Sequence, residues 1–176
     1  MTNLYDKVIK DGKQKQDTRF NTVLMIFIIL FVVIFVSFSW ILSYKIRYSS
    51  FVNKLTGSIT YVNHNDSLKV YMDGKTLKLS EDNFTGFNTY LTMSGSGKES
   101  KKVPVEEPII FDYGNGSSLR LWDIPADKYS KRNGVFIQYT DMQGKNYSFI
   151  SYKITYDTVV TRYLLYDNVE IVDHDM

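Results

Sequence analysis

The longest apolar run in the chain covers Val23 to Leu42, and only Ser37 and Ser39 interrupt it. The run carries no charge. A helix of about 20 residues spans about 30 Å, which is the thickness of the hydrocarbon core of a bilayer. A helix that is apolar on all sides has no polar face to present to water. The pattern therefore predicts a single transmembrane α-helix over residues 23–43, preceded by a short N-terminal tail over residues 1–22.

A helical period continues beyond this run. Tyr44, Tyr48, Phe51 and Leu55 recur at spacings of four, three and four, which places them on one face of a helix. Gly57 follows as a helix stop signal. The spacing predicts a short helical stalk over residues 44–56.

From residue 57 onward, apolar and polar residues alternate with a period of two. Asp73–Gly74 suits a type I′ hairpin turn, residues 114–116 carry another hairpin signature, and residues 141–145 separate two further candidate strands. Turn signals recur about every ten residues. The candidate strands are residues 58–62, 68–72, 75–79, 84–93, 108–113, 118–122, 135–140, 146–156, 158–166 and 169–172. The pattern predicts a mainly β fold for residues 57–176, as an antiparallel β-sandwich or a small β-barrel.

The distribution of charge predicts the orientation of the helix. The first 22 residues hold five basic and three acidic residues, and the rest of the chain holds sixteen of each. Lys45, Arg47 and Lys54 are the basic residues closest after the helix. Because basic residues favour the cytoplasmic side, we expect a cell-membrane protein with a cytoplasmic N-terminus and an extracytoplasmic C-terminal domain. The long apolar run without a cleavage pattern indicates an uncleaved signal-anchor.

Composition excludes several kinds of partner and site. The neutral tail lacks the concentrated basic face that nucleic acid requires, so we expect no nucleic-acid partner. The chain has no cysteine, which excludes disulfides and thiolate metal sites. The bilayer itself and a protein in the envelope or a membrane complex are the expected partners.

No motif predicts catalysis. Gly95–Ser96–Gly97–Lys98 lacks the glycine spacing and the following Ser or Thr of a phosphate-binding loop. His64 and His174 are the only histidines, and neither has the companions of a zinc site or a catalytic triad. We therefore predict a protein that is not an enzyme and uses no cofactor or metal.

The predicted contact residues are Lys98, Lys101 and Lys102, in a glycine- and serine-rich loop, together with Trp122. A loop of this length is either functional or disordered. An indole near a hairpin end is either an interface anchor or part of the core. Both alternatives stay open for each feature.

Three functions are compatible with the sequence. The first is a membrane-anchored, non-catalytic β domain that binds a protein or an envelope component outside the cell, as an accessory, immunity or adhesion protein. The alternative is a membrane effector whose β domain is cytosolic and senses a small ligand. The third is a hydrolase that relies on Asp and Tyr alone.

Overall fold

The structure is a computed structural model. It describes the backbone of residues 2–93, 98–100, 102–126, 132–165 and 170–172, and the side chains of residues 20–92, 99–100, 102–126 and 132–165. The chain divides into two compact units, Met1–Lys45 and Ile46–Met176.

The first unit is helical and belongs to helix α1, which covers Thr2–Asn65. Its apolar side chains from Phe20 to Leu42 are exposed, and none of its most apolar window is buried. The Phe31 and Phe35 rings stack with their centroids 6.4 Å apart. By length and composition, this is one helix that is long and apolar enough to cross a membrane.

Helix α1 does not end at Gly57, so the prediction of a strand over residues 58–62 is wrong. Phe51, Leu55, Ser58 and Val62 are buried at spacings of four, three and four, which is a helical period. Packing of this face offsets the roughly 1 kcal/mol that a glycine costs inside a helix. These residues belong to the second compact unit, where they pack on a sheet.

The described strands form one antiparallel sheet. They are β1 (Lys69–Met72), β2 (Lys75–Lys78), β3 (Lys98–Glu99), β4 (Ile109–Asp112), β5 (Ser118–Ile124), β6 (Gly134–Thr140), β7 (Asn146–Ser151) and β8 (Glu170–Val172). Their order in the sheet is β3-β7-β6-β5-β4-β1-β2-β8. Within the described ranges, β3 and β8 stand at opposite ends of one sheet, so the predicted sandwich or barrel is wrong and the prediction of antiparallel pairing is confirmed.

Three predicted hairpins are confirmed. Strands β1 and β2 pair across Asp73 and Gly74, whose φ angles are 51° and 72°, as a type I′ turn requires. Strands β4 and β5 pair across the 114–116 turn, and β6 and β7 pair across the 141–145 turn. The turn residues predicted these pairings because local backbone geometry alone fixes a short hairpin.

Two other predicted strands are helical. Residues 84–93 lie in helix α2 (Glu81–Met93), and most of residues 158–166 lie in helix α3 (Tyr156–Val159) and a π-helix (Val160–Leu164). In α2 the buried residues are Phe84, Phe87, Asn88 and Leu91. Their spacing of three, one and three is helical. The aromatic residues that favoured a strand, Phe84 and Phe87, are buried in the core between this helix and the sheet. The fold is therefore only partly β.

The core lies between one face of the sheet and the helices. A buried row crosses five strands in register, from Val70 through Phe111, Leu119 and Tyr139 to Tyr147. Phe87 of α2 stacks on Phe111 with ring centroids 4.5 Å apart. Phe51 of α1 packs on the β6–β7 end, with its ring centroid 5.3 Å from that of Phe149 and 5.9 Å from that of Tyr139.

The opposite face of the sheet also buries a pair of aromatic rings. Trp122 is 4% exposed, and its ring meets that of Phe136 edge-on at 5.4 Å. The indole Nε1–H donates to the carbonyl oxygen of Glu106 at 2.8 Å. This bond ties the segment that precedes β4 to the sheet.

The glycines of the 114–116 turn provide a paired test of this fold. A Cβ on Gly114 would lie 2.6 Å from Ser67 Cβ, whereas one on Gly116 would meet nothing within 4 Å; their φ angles are +74° and +82°. We expect Gly116→Ala to lower the free energy of unfolding by about 1–2 kcal/mol, from the left-handed backbone alone. Gly114→Ala should cost about 1–3 kcal/mol more, because of the clash.

Denaturant titrations of the full chain in detergent measure this difference. A Trp40→Phe background leaves the buried Trp122 as the single fluorescent indole. Equal losses in the two glycine variants would contradict the close approach of Ser67 to the turn.

Candidate functional site

Among the described residues of the second unit, a concavity lies between helix α1 and the β6–β7 turn. We call it the helix–hairpin cleft. Its volume is about 590 Å³, and its lining residues are Ser50, Asn53, Lys54, Asp141, Gln143, Lys145 and Tyr147. This volume lies within the range of small-molecule sites.

Helix α1 supplies one wall of the cleft. Ser50, Asn53 and Lys54 are three and four residues apart, so they share one face of the helix. Phe51 fixes this part of the helix, since its ring packs against Tyr139, Tyr147 and Phe149 of the sheet. The polar wall is therefore mounted on a rigid element, which is what a binding site requires.

The β6–β7 turn supplies the other wall and is organised around Asp141. One carboxylate oxygen, Oδ1, accepts hydrogen bonds from the backbone N–H groups of Gln143 and Lys145, at 3.0 and 2.9 Å. The Asp141 N–H donates to the Lys145 carbonyl oxygen at 3.0 Å. An aspartate that bonds to the backbone two residues on is a common way to stabilise a turn.

Lys54 joins the two walls. Its Nζ lies 3.6 Å from Asp141 Oδ2 and donates to Gln143 Oε1 at 2.8 Å. Asp141 is 3% exposed, and this desolvation raises its pKa. The hydrogen bonds from the Lys145 and Gln143 backbone, with the nearby Lys54 ammonium, outweigh it and leave the pKa of Asp141 below its ordinary value.

Lys145 is the second cation of the cleft. Its Nζ lies 5.2 Å from the centroid of the buried Tyr147 ring, at cation–π distance. It makes no ion pair with any carboxylate in the described part of the chain. The cleft thus holds two ammonium groups and one carboxylate, and that carboxylate is already neutralised by Lys54.

Beyond the cleft, a buried cluster of hydroxyls locks α1 onto the sheet. Ser58 Oγ lies 2.7 Å from Ser117 Oγ and 2.8 Å from Tyr139 Oη. Tyr139 Oη donates to the Lys54 carbonyl oxygen at 3.1 Å, and Asn115 Nδ2 donates to Ser58 Oγ at 3.3 Å. This cluster fixes the rotation of α1 and therefore the direction in which its cleft residues point.

Lys102 and Trp122, the predicted contact residues whose side chains the structure describes, do not line the cleft. Lys98 belongs to strand β3, but its side chain lies outside the described residues, as does all of Lys101. Lys102 is exposed. Trp122 is buried against Phe136, so it is not an exposed anchor. A role in binding for these four residues stays a prediction.

The sequence did reveal parts of the cleft but not the cleft itself. The spacing of Phe51 and Leu55 predicted a helix, and residues 141–145 were predicted as a turn. The pairing of Lys54 with Asp141 joins residues 87 positions apart, and no local pattern predicts such a contact. Arg47 pairs with Glu99 in the same way, and connects α1 to strand β3.

Neither the histidine that the structure describes nor any cluster of acidic side chains within the described residues forms a metal site. His64 is exposed, and its Nδ1 lies 2.7 Å from the Thr60 carbonyl oxygen. No group of three or more His, Cys, Asp or Glu side chains within the described ranges could hold a metal ion.

Comparison of the chain with family models, curated proteins and solved structures finds no match.

The carboxylate of Asp141 predicts a pH dependence of stability. Because its pKa is lowered in the folded chain, the charged form stabilises the fold above the unfolded pKa of about 3.9. That contribution is lost as the pH falls through the folded pKa. We expect Asp141→Asn to lower the free energy of unfolding by about 0.5–1 kcal/mol at pH 7, since an amide keeps an acceptor but loses the attraction of Lys54.

Urea titrations of the full chain at several acidic pH values measure the free energy of unfolding and test this expectation. The difference between the wild type and Asp141→Asn should shrink to nothing at the lowest pH. Asp112→Asn is the matched control, because Asp112 Oδ1 also accepts a turn N–H, from Gly114 at 2.9 Å, and an amide oxygen can replace it. A difference that stays constant with pH would show that the charge is unimportant.

Proposed function

We propose that the chain is a single-pass membrane protein whose second unit is a non-catalytic binding domain, displayed outside the cell toward a protein or an envelope component. The observation that carries this proposal is the exposure of the apolar residues of α1. Phe27, Phe31, Phe35 and Trp40 are 66%, 69%, 62% and 77% exposed. Each such side chain loses about 1.5–3 kcal/mol when left in water, so a bilayer is the surrounding that suits this helix.

The orientation rests on charge. Five basic residues precede the apolar run, whereas Lys45, Arg47 and Lys54 are those nearest after it. The larger number of basic residues before the span favours a cytoplasmic N-terminus.

A binding role fits the chemistry of the buried groups better than catalysis does. Asp141 is the buried carboxylate of the described residues, and two backbone N–H groups and Lys54 already engage it. A general base must be able to exchange a proton with a substrate. A carboxylate held in its charged form by three donors is suited to structure and to electrostatics.

The segment of residues 102–106, which includes the predicted contact residue Lys102, is a second exposed surface that could bind a partner. Lys102 is exposed, Val105 is 98% exposed, and the Trp122–Glu106 hydrogen bond holds the same segment on the sheet. An exposed aliphatic side chain beside a cation, on a tethered segment, suits contact with another protein.

The second candidate function is a cytosolic domain that senses a small ligand. The helix–hairpin cleft favours it, because a concavity of about 590 Å³ has the size of a small-molecule site. The surface of another protein would not enter it as readily. The two candidates differ in the side of the membrane on which the second unit lies.

Single cysteines distinguish the two sides, since the chain has none of its own. Lys75 is exposed on strand β2, so Lys75→Cys places a thiol on the second unit without disturbing the core. We expect a membrane-impermeant maleimide to label Lys75→Cys in intact cells, and to label Thr18→Cys, in the N-terminal tail, only after lysis.

The reversed pattern would overturn the orientation and favour the cytosolic sensor. Extraction of the membrane fraction with alkaline carbonate tests the anchor separately. Release of the full chain into the soluble fraction would overturn membrane anchoring itself.

A further inference from the structure

We propose that the helix–hairpin cleft binds the phosphate group of a small hydrophilic molecule. This inference goes beyond the proposed function and holds on either side of the membrane. It rests on the charges and donors that line the cleft, and on the hydrogen bonds from Gln143 and Lys145 that hold the turn in place around Asp141.

The electrostatics of the cleft favour an anion. Asp141 is 3% exposed, and its charge is balanced by Lys54 at 3.6 Å and by two backbone N–H groups. Lys145 is exposed and has no carboxylate partner within the described ranges. The wall that faces solvent therefore carries a net positive charge, which attracts an anion at short range.

The uncharged polar side chains of the lining can donate hydrogen bonds. Gln143 Oε1 accepts from Lys54 at 2.8 Å, so its amide nitrogen is the atom left to face the cleft. Ser50 and Asn53 add a hydroxyl and a second amide from the helix. Donors on two opposed walls suit the several acceptor oxygens of a tetrahedral phosphate.

The cations are lysines, which act as point charges and are common partners of phosphate oxygens. A phosphate carries more negative charge and more acceptor oxygens than a carboxylate, which suits a cleft that has two ammonium groups and polar donors on both walls. The nearest arginine on the helix, Arg47, is engaged with Glu99. The cleft therefore offers point charges rather than a planar fork.

Isothermal titration of the full chain in a neutral detergent tests the proposal, with inorganic phosphate and glycerol 3-phosphate as probes and chloride at equal ionic strength as the reference. We expect saturable binding of phosphate with a Kd of about 1 mM. Tighter binding of glycerol 3-phosphate would identify an organic phosphate as the ligand. Equal binding of the two probes would show that the cleft recognises the phosphate group alone. Failure to bind either probe up to about 20 mM would overturn the proposal.

Two matched pairs of variants locate the site. Lys145→Gln should weaken phosphate binding about tenfold, while Lys75→Gln, which removes the same charge from the β1–β2 hairpin, should leave it unchanged. Asn53→Asp should weaken binding by repulsion, and Asn63→Asp, about 15 Å further along the same helix, should not. Both asparagines are exposed, so neither variant removes a core contact.

Equal weakening by both members of a pair would show a general charge effect and overturn the site. Because the titrations use purified chain, their result does not depend on the orientation in the membrane. If neither probe binds and Lys75→Cys is labelled in intact cells, the phosphate site is overturned while the extracytoplasmic binding domain stands. If phosphate binds and the labelling pattern is reversed, the phosphate site stands while the extracytoplasmic orientation is overturned.

Discussion

The packing of one face of helix α1 on the sheet is the constraint on which the second unit depends. Phe51 packs on β6 and β7, Leu55 is buried on the same face of the helix, and Ser58 places its hydroxyl between Ser117 and Tyr139. The β4–β5 and β6–β7 turns both contact this helix, through Ser117 and through Asp141. If the helix rotated by one residue, the apolar side chains would leave the core and the hydroxyl cluster would lose its partners.

The same helix is both a structural element and one wall of the helix–hairpin cleft. Phe51 points into the core while Ser50, Asn53 and Lys54 line the cleft, so stability and ligand binding share a single rotation of the helix. The Lys54–Asp141 contact lies where these two roles meet. A change in core packing at Phe51 would therefore alter the distance between the two walls of the cleft.

The sequence predicted those parts of the fold that local chemistry determines. Asp73–Gly74 and the glycine turn at 114–116 specify hairpins because their φ angles are fixed by neighbouring residues. Residues 58–62 and 84–93 were predicted incorrectly because their apolar residues fit a period of two about as well as a helical one. Tertiary packing against Phe111 and Tyr139 decides in favour of helix, and that information lies far away in the chain. The cleft was missed for the same reason.

The core also contains polar groups that lower its stability. Asn88 is 6% exposed, and neither atom of its amide has a hydrogen-bond partner among the described residues. The Tyr113 hydroxyl, fully buried beside Phe84, is in the same condition, and burial raises its pKa well above the ordinary value. An unsatisfied buried amide costs about 1–3 kcal/mol, whereas leucine has a similar volume and no polar atoms. Asn88 is therefore a position at which an apolar side chain of similar volume would make the second unit more resistant to heat.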